Sequence, residues 1–398
     1  MSGGAVSPGA RPSVGIFTYS TVPRGSVVHA AALADALHDA GCDATLYALD
    51  KDGRGFFRPL RAALRLVPAA PAPVTTAALV RQRANELADF LARAQLSHDL
   101  HHAQDCLTAN GLLTAVARGV PLSAPLVRTV HHLETFADPA LARCQERSIR
   151  EVDFCFTVSE TAQRDVVEAL GIRCELVGNG VDLGRLRSAD PARVARWRAR
   201  LGGRGPLVLA VGGIEPRKNS RRILGAFRRL RASHPGAQLW IVGGATALDH
   251  GGYRAAFQAA LSALAPKIQD AVIQLGVVPD ADLVALYQVA QVVASPSLQE
   301  GFGLVALEAL GAGLPLVASD RPPFTEFLDA SCATLVDPTS EEAIALGLGA
   351  ALAAPPSQLE AGRRRAELHS WPRVAALHLA GYERILSHAG NALRRSLA

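Results

Sequence analysis

The chain has 398 residues, a formal net charge of +5 and 49% hydrophobic residues, with aromatics at only 5%. That length implies two or more domains with ample core, and so small a charge gives no reason to expect a nucleic-acid partner. No apolar run reaches the roughly 18 residues a spanning helix needs, and Met1–Pro12 lacks the apolar centre of a signal peptide, so a cytoplasmic protein is expected. The six cysteines (Cys42, Cys106, Cys144, Cys155, Cys174, Cys332) form no C-x-x-C pair and read as small buried hydrophobes, not disulfides or zinc ligands. Nearly all basic residues are Arg, a usage that fits a GC-rich bacterial genome; Lys occurs only at 51, 218 and 267, which makes Lys218 conspicuous.

Val14–Tyr19 is a short apolar run and reads as the first strand. The loop Ser20–Ser26 leads to a helix over Val27–Ala40, with Leu33, Ala36 and Leu37 on one face and Gly41 as its C-cap. Ala44–Leu49 is the second strand, so the chain opens as the first unit of a doubly wound sheet. Gly25 and Ser26 read locally as a tight turn. The loop is not G-x-G-x-x-G, and no acidic residue closes the second strand where a dinucleotide site would need one, Asp50 being the nearest candidate, so the pattern does not favour an oxidoreductase. The stretch Phe56–Leu66 is basic and amphipathic. It suits either an anionic membrane surface or a solvated surface segment, and Pro59, which interrupts it, favours the second. His98–Asp105 and Val127–His132 are strand ends carrying five histidines (98, 101, 102, 131, 132). They lack a helical i, i+4 pair with a carboxylate, so the spacing does not favour a metal site. Asp153–Ser159 is a strand whose Ser159 caps the next helix. Asn179-Gly180, within Val177–Asp182, is a strong turn signal, and the charged run Arg185–Arg204 is a connector and first helix into a second domain.

Pro206–Gly213 restarts the pattern, and Ile214–Ser220 leads into a helix over Arg221–Arg231. Cations at a helix N-terminus oppose the dipole, so Arg217 and Lys218 would be poor structural choices without a ligand. Gln238–Val242, followed by Gly243-Gly244, and Val272–Gly276 are further strands. Asp280 reads as an N-cap with Asp282 in the first turn of the next helix, in preference to a D-x-D metal motif. The apolar run Val292–Ala294 then ends in Ser295-Pro296-Ser297, and a loop with Gly301 and Gly303 opens into the helix Leu304–Leu310. Such a loop leaves backbone N–H groups at the positive end of a helix, a ready anion site. Glu300 precedes the turn and Glu308 lies about two turns along the helix. Leu316–Ser319 and Ala333–Val336 are strands, and a last helix runs from Ser370 as cap, with Pro372 in its first turn, to roughly Ser387.

Glu300 and Glu308, with seven residues between them that include Gly301-Phe302-Gly303-Leu304, resemble the E-x7-E signature of retaining glycosyltransferases of family 4. Other stretches resemble that family in the same order over residues 14–388. His98–Asp105 is similar to its D-x-h-H-x-H strand end, Thr129-Val130-His131 to its T-x-H, and Asn179–Asp182 to its N-G-V-D turn. The segment ending at Lys218 is similar to V-G-R-x-x-x-x-K, with Gly213 where the family has Arg.

The resemblance implies an α/β protein of GT-B fold, two Rossmann-like doubly wound parallel-sheet domains facing across a cleft. The expected parts are an acceptor-side domain (1–185), a nucleotide-sugar domain (186–370) and a C-terminal helix (371–398) crossing back to the first. It implies transfer of a sugar from a nucleoside-diphosphate donor, UDP-sugar favoured, with retained stereochemistry and no metal or other cofactor. The acceptor is a small molecule, lipid or glycan, and some relatives that glycosylate lipids sit peripherally at the inner face of the membrane. By the same resemblance, Glu300 binds donor sugar hydroxyls and Glu308 the ribose. Phe302, Gly303 and Leu304 offer N–H groups to phosphate and sugar oxygens, and Lys218, helped by Arg217, stabilises the leaving diphosphate. His131, or its neighbour His132, shapes the reaction face. Gly25 and Ser26 face the donor phosphates and acceptor, and Val277 contacts the base. Two alternatives stay open: a nucleotide-sugar epimerase of the same fold, and a non-catalytic sugar-binding protein.

Overall fold

The structure is a computed structural model and describes residues 11–73, 75–94, 96–244 and 251–396, with side chains through residue 388. Residues 1–10 of the stretch read for a signal peptide, and the last two residues of the expected C-terminal helix, lie outside the described residues. The chain divides into two compact units, Met1–Gly180 with Trp371–Ala398, and Val181–Ser370.

The first unit alternates strands and helices: β1 (Ser13–Thr18), α1 (Gly25–Asp39), β2 (Asp43–Asp50), β3 (Ala63–Pro68), α2 (Thr76–Ala94), β4 (Leu100–Ala103), α3 (Cys106–Ala117), β5 (Leu126–Val130), α4 (Pro139–Arg150), β6 (Phe154–Thr157), α5 (Glu160–Leu170) and β7 (Glu175–Leu176). The second contains α6 (Leu183–Arg187), α7 (Pro191–Leu201), β8 (Leu207–Val211), α8 (Ser220–Leu230), β9 (Gln238–Val242), α9 (Gly251–Ser262), α10 (Pro266–Gln269), β10 (Val272–Gly276), α11 (Asp280–Val289), β11 (Val292–Ser295), α12 (Leu304–Gly311), β12 (Leu316–Ser319), β13 (Thr334–Val336), α13 (Glu341–Leu352) and α14 (Pro356–Glu367). The last helix, α15 (Trp371–Ser396), returns to the first unit.

In the first unit the all-parallel sheet has the order β3-β2-β1-β4-β5-β6-β7. Strands buried on both faces explain the continuous apolar runs. One face is covered by α1 and α15: Ala30, Leu33 and Leu37 meet Val14, Ile16 and Leu46, and Trp371, Val374, Ala375, Leu379 and Tyr382 join the same core at helical spacing. Here α15 continues to Ser396, past the end expected near Ser387, and Gly390 lies inside the helix without ending it.

Residues 56–66 do not form one amphipathic surface segment. Phe56, Phe57 and Leu60 pack against the core, Arg58 pairs with Asp35 at 2.8 Å and Arg61 with Asp39 at 2.7 Å, and the remainder enters the edge strand β3. The aromatic rings a membrane would take are therefore spent on the interior. Among the described residues no helix is long and apolar enough to cross a membrane.

The second unit has the order β10-β9-β8-β11-β12-β13, again parallel, around Val208, Leu239, Ile241, Val292, Val317 and Ile344. Asp280 is not an N-cap: Pro279 holds that position without a side-chain cap, and Asp280 lies in the helix, 3.5 Å from Arg185. Asp282 is buried, accepts from Arg196 at 2.5 Å and from the Trp197 indole at 3.0 Å, and so ties α11 to α7.

Both sheets reverse direction once, between β1 and β4 and between β8 and β11. In doubly wound folds the crevice beyond the strand C-termini at such a point is where ligands bind.

Candidate active site

At the reversal in the second unit, the loops after β8 and β11 are locked together. Leu298 N–H donates to Arg217 O at 2.8 Å. Asn219, left-handed at φ 60°, donates its amide to Pro296 O at 2.9 Å and Pro338 O at 2.6 Å. Gly212, at φ +134°, leaves room for the Lys218 stem, since a Cβ there would lie 2.6 Å from Lys218 Cε. Lys218 Nζ donates to Glu300 Oε1 at 2.5 Å, Ser297 Oγ donates to the same oxygen at 2.8 Å, and Arg217 Nη1 reaches Oε2 at 3.2 Å. Burial alone would raise the Glu300 carboxyl, but Lys218 and Arg217 outweigh it and hold it below the usual carboxylate range.

This corrects the dipole argument of the sequence. Arg217 and Lys218 are not bare cations at a helix start, because Glu300 takes both and Glu215 pairs with Arg217 at 3.2 Å. Their charges are balanced without any ligand. Gly213 stands at φ +79°, where a Cβ would meet Gly244 O at 2.9 Å, so this backbone has no room for the family's Arg. Arg217 is the cation beside Glu300 instead.

α12 begins at Leu304 with Gly303 before it. The Phe302 ring is buried and stacks on Phe327 at 4.7 Å, so only its main chain faces outward chemistry. Among the described residues the N–H groups of Phe302, Gly303 and Leu304 have no hydrogen-bond acceptor. Glu308 lies about one turn into α12, not two, because the helix starts at Leu304. Its Oε1 accepts from Arg185 at 2.7 Å and its Oε2 from Tyr287 OH at 2.8 Å. Val277, just past β10, is 57% exposed.

A prediction follows from the Glu308 cluster. Arg185→Met strips the counter-charge from Glu308, whose side chain is 14% exposed, and from Asp280. It should destabilise the protein by about 2 kcal/mol, below the range for fully buried pairs because water reaches this one. Urea unfolding that matches the wild type within about 0.5 kcal/mol, the scatter of neutral surface changes, would refute it.

The other candidates lie in the first unit, at the C-terminal edge of its own sheet. Gly25 and Ser26 are not in a turn: α1 begins at Gly25, so both sit in its first turn, after Arg24, which gives no side-chain cap. Their N–H groups are among those a helix start leaves without an internal acceptor. His131 follows β5; its Nε2 lies 3.3 Å from Gln104 Oε1 and its ring meets that of His29 edge-on at 4.8 Å. Burial, then His29, hold His131 well below the ordinary imidazole value, so it is neutral near pH 7. His132 turns to Glu134 at 2.8 Å.

Ser297, Arg185, Tyr287, Gln104 and His29 were not singled out in the sequence, although each touches a residue that was. Ser297 sits inside the quoted stretch and could have been read as a carboxylate donor. Arg185 and Glu308 are 123 residues apart, and no local pattern links them.

The architecture has close counterparts. The structure of Anabaena HepE in complex with UDP and glucose superimposes with a TM-score of 0.72 over 94% of this chain and 99% of that one, at 18% identity. Two Rossmann-like parallel-sheet units of this kind are the GT-B fold of glycosyltransferases. The family model for glycosyl transferases group 1 matches residues 193–367, and that for Glycosyltransferase Family 4 matches residues 23–185. An MMP alpha-(1->4)-mannosyltransferase of Mycolicibacterium hassiacum is 31% identical over 325 residues, 75% of this chain and 74% of the relative. A D-inositol 3-phosphate glycosyltransferase of Nocardia farcinica is 33% identical over 264 residues, 62% of this chain but only 55% of the relative. The chain is a glycosyltransferase, and it belongs to glycosyltransferase family 4.

Proposed function

We propose that the protein transfers a sugar from a nucleoside-diphosphate donor, a UDP-sugar being favoured, with retention of configuration and without a metal cofactor. The observation that carries the reading is the Lys218–Glu300 contact at the sheet reversal, beside the open N–H groups that start α12. A pyrophosphate set against Phe302, Gly303 and Leu304 meets the positive end of a helix, with an ammonium and a guanidinium beside it. As the bond from the anomeric carbon to the phosphate oxygen breaks, negative charge grows on that oxygen and Lys218 takes it up. The departing phosphate accepts the proton of the incoming hydroxyl on the same face, so no separate base is needed.

Glu300, kept ionised, accepts hydrogen bonds from the donor sugar hydroxyls, and Glu308 receives those of the ribose. Gly25 and Ser26 offer further N–H groups to phosphate, Val277 meets the base, and neutral His131 lines the reaction face without adding charge. HepE, solved with UDP and glucose, supports the donor class.

Thermal unfolding in the presence of UDP, GDP and ADP and their sugars tests the reading. A ligand at 100 times its Kd adds about 2.7 kcal/mol, and a UDP-sugar should give that response with EDTA present. No stabilisation by any nucleotide would overturn the donor site. Isomerisation of the donor sugar without acceptor would favour the epimerase instead.

A further inference from the structure

Alternation along a strand puts His102 and Gln104 on one face of β4 and its continuation, and Thr129 and His131 on one face of the neighbouring β5. That is the face α15 covers, and there Tyr382 joins them in one line of hydrogen bonds. Tyr382 OH lies 2.6 Å from His102 Nδ1, and His102 Nε2 lies 2.8 Å from Thr129 Oγ1. The two ends of the Gln104 amide lie 3.2 Å from His102 Nε2 and 3.3 Å from His131 Nε2. Tyr382, His102, Gln104 and Thr129 are fully buried, so no water repairs a mismatched pair among them.

The positions of the protons follow from that burial. Each ring is neutral near pH 7 and so has one N–H and one bare nitrogen. His102 Nδ1 is the one partner of the Tyr382 hydroxyl among the described residues. A buried O–H without an acceptor is costly, so the phenol donates and Nδ1 is bare. The His102 proton is then on Nε2, where it is given to Thr129 Oγ1. An N–H there attracts the amide oxygen of Gln104 and repels its NH2. The two ends of an amide exchange by a half-turn that leaves both distances essentially unchanged, and hydrogen bonding decides between them. The NH2 group therefore faces His131 Nε2, which must be bare, and the His131 proton is on Nδ1. That atom has no partner among the described residues and is open to solvent.

We infer that Gln104 is a positioning residue for the transfer: it holds His131 as the Nδ1–H tautomer, so that the ring offers a hydrogen-bond donor to an oxygen of the substrate. A free imidazole favours the Nε2–H form, so the buried network selects the form that would otherwise be minor. A donor suits an oxygen that gains negative charge as the bond to the anomeric carbon breaks, and a bare nitrogen would repel it. The use of that donor rests on the transferase reading; the tautomer itself does not.

Long-range nitrogen–proton correlation spectra of the ligand-free, full-length protein labelled with 15N-histidine show which ring nitrogen is protonated. Loss of its signals in H131N assigns His131. At pH 8 the wild type should have Nδ1 protonated and Nε2 bare, and in Q104M the ring should revert largely to Nε2–H. Wild-type His131 protonated on Nε2 would overturn the inference, whether or not the variant folds. Kinetics test the consequence: Q104M should lower kcat about five- to tenfold, the worth of one hydrogen bond, with the donor KM within about twofold of wild type. An unchanged kcat, or a loss confined to KM, would overturn the positioning role. Donor nucleotide should stabilise Q104M and wild type equally. A failed donor reading therefore appears as no nucleotide response in either protein, and is distinct from a wrong tautomer.

Discussion

Lys218→Met lowers kcat by about 10²–10³-fold, with the donor KM changed only a few-fold, if Lys218 acts where charge develops. The expectation comes from its surroundings. In the free protein its ammonium is held by Glu300, so the ground state already has a satisfied ion pair and gains little from Lys218 on binding donor. The new demand arises only when the phosphate oxygen departs with its charge, and an interaction made only then appears in kcat. Arg217 remains beside Glu300 in the variant, at 3.2 Å in the native protein, so the carboxylate is not left without a counter-charge and the fold should persist. Steady-state kinetics with a saturating acceptor decide it. A kcat within about threefold of wild type would remove Lys218 from the reaction, since one such donor is ordinarily worth far more.

The same residue marks the boundary of what the sequence could tell. Strand runs such as Leu207–Val211 and Val292–Ser295 announce themselves because a parallel sheet covered on both faces needs unbroken apolar stretches. Spacing found Glu300, Lys218 and the glycines around them. It did not find that Lys218 and Glu300 bond to each other across 82 positions, and the argument from the helix dipole went astray for that reason. Helix starts were misjudged where no side-chain cap marks them, as at Gly25 and Asp280. Starts with a capping side chain, such as Ser159, were legible. The Arg185–Glu308–Tyr287 cluster and the Gln104 contact to His131 arise from tertiary packing alone, and no periodicity encodes them.

Below pH 6.5 the first unit should lose stability steeply, by at least about 5 kcal/mol on going from pH 7.5 to 5. His29, His101 and His378 are buried, and burial holds their folded pKa values down to about 3, 4 and 4. His102 is shifted in the same direction by the same cause. Unfolded, each returns to 6.5 and takes up a proton the native state refuses, so the stability is complete above 6.5 and is lost as pH falls toward 4. At pH 5 each of the three costs about 2 kcal/mol relative to neutral pH. Asp105 works with the opposite sign: burial raises its carboxyl to about 6, and protonating it in the native state recovers about 1 kcal/mol.

Three of these rings converge on α15, where His378 lies 5.6 Å from His102 and 6.0 Å from His29, ring centre to ring centre. Undocking α15 is therefore an early route for relieving the cost. Set against a total of about 5–15 kcal/mol for a folded domain, such a loss should bring acid unfolding of this unit near pH 5. Urea midpoints measured between pH 7.5 and 5 test the slope. His378→Leu should flatten it by about 2 kcal/mol over that range because it removes one titrating group without opening a cavity of a full side chain. A midpoint that stays constant across that range in the wild type would mean that these imidazoles titrate alike in the folded and unfolded chain.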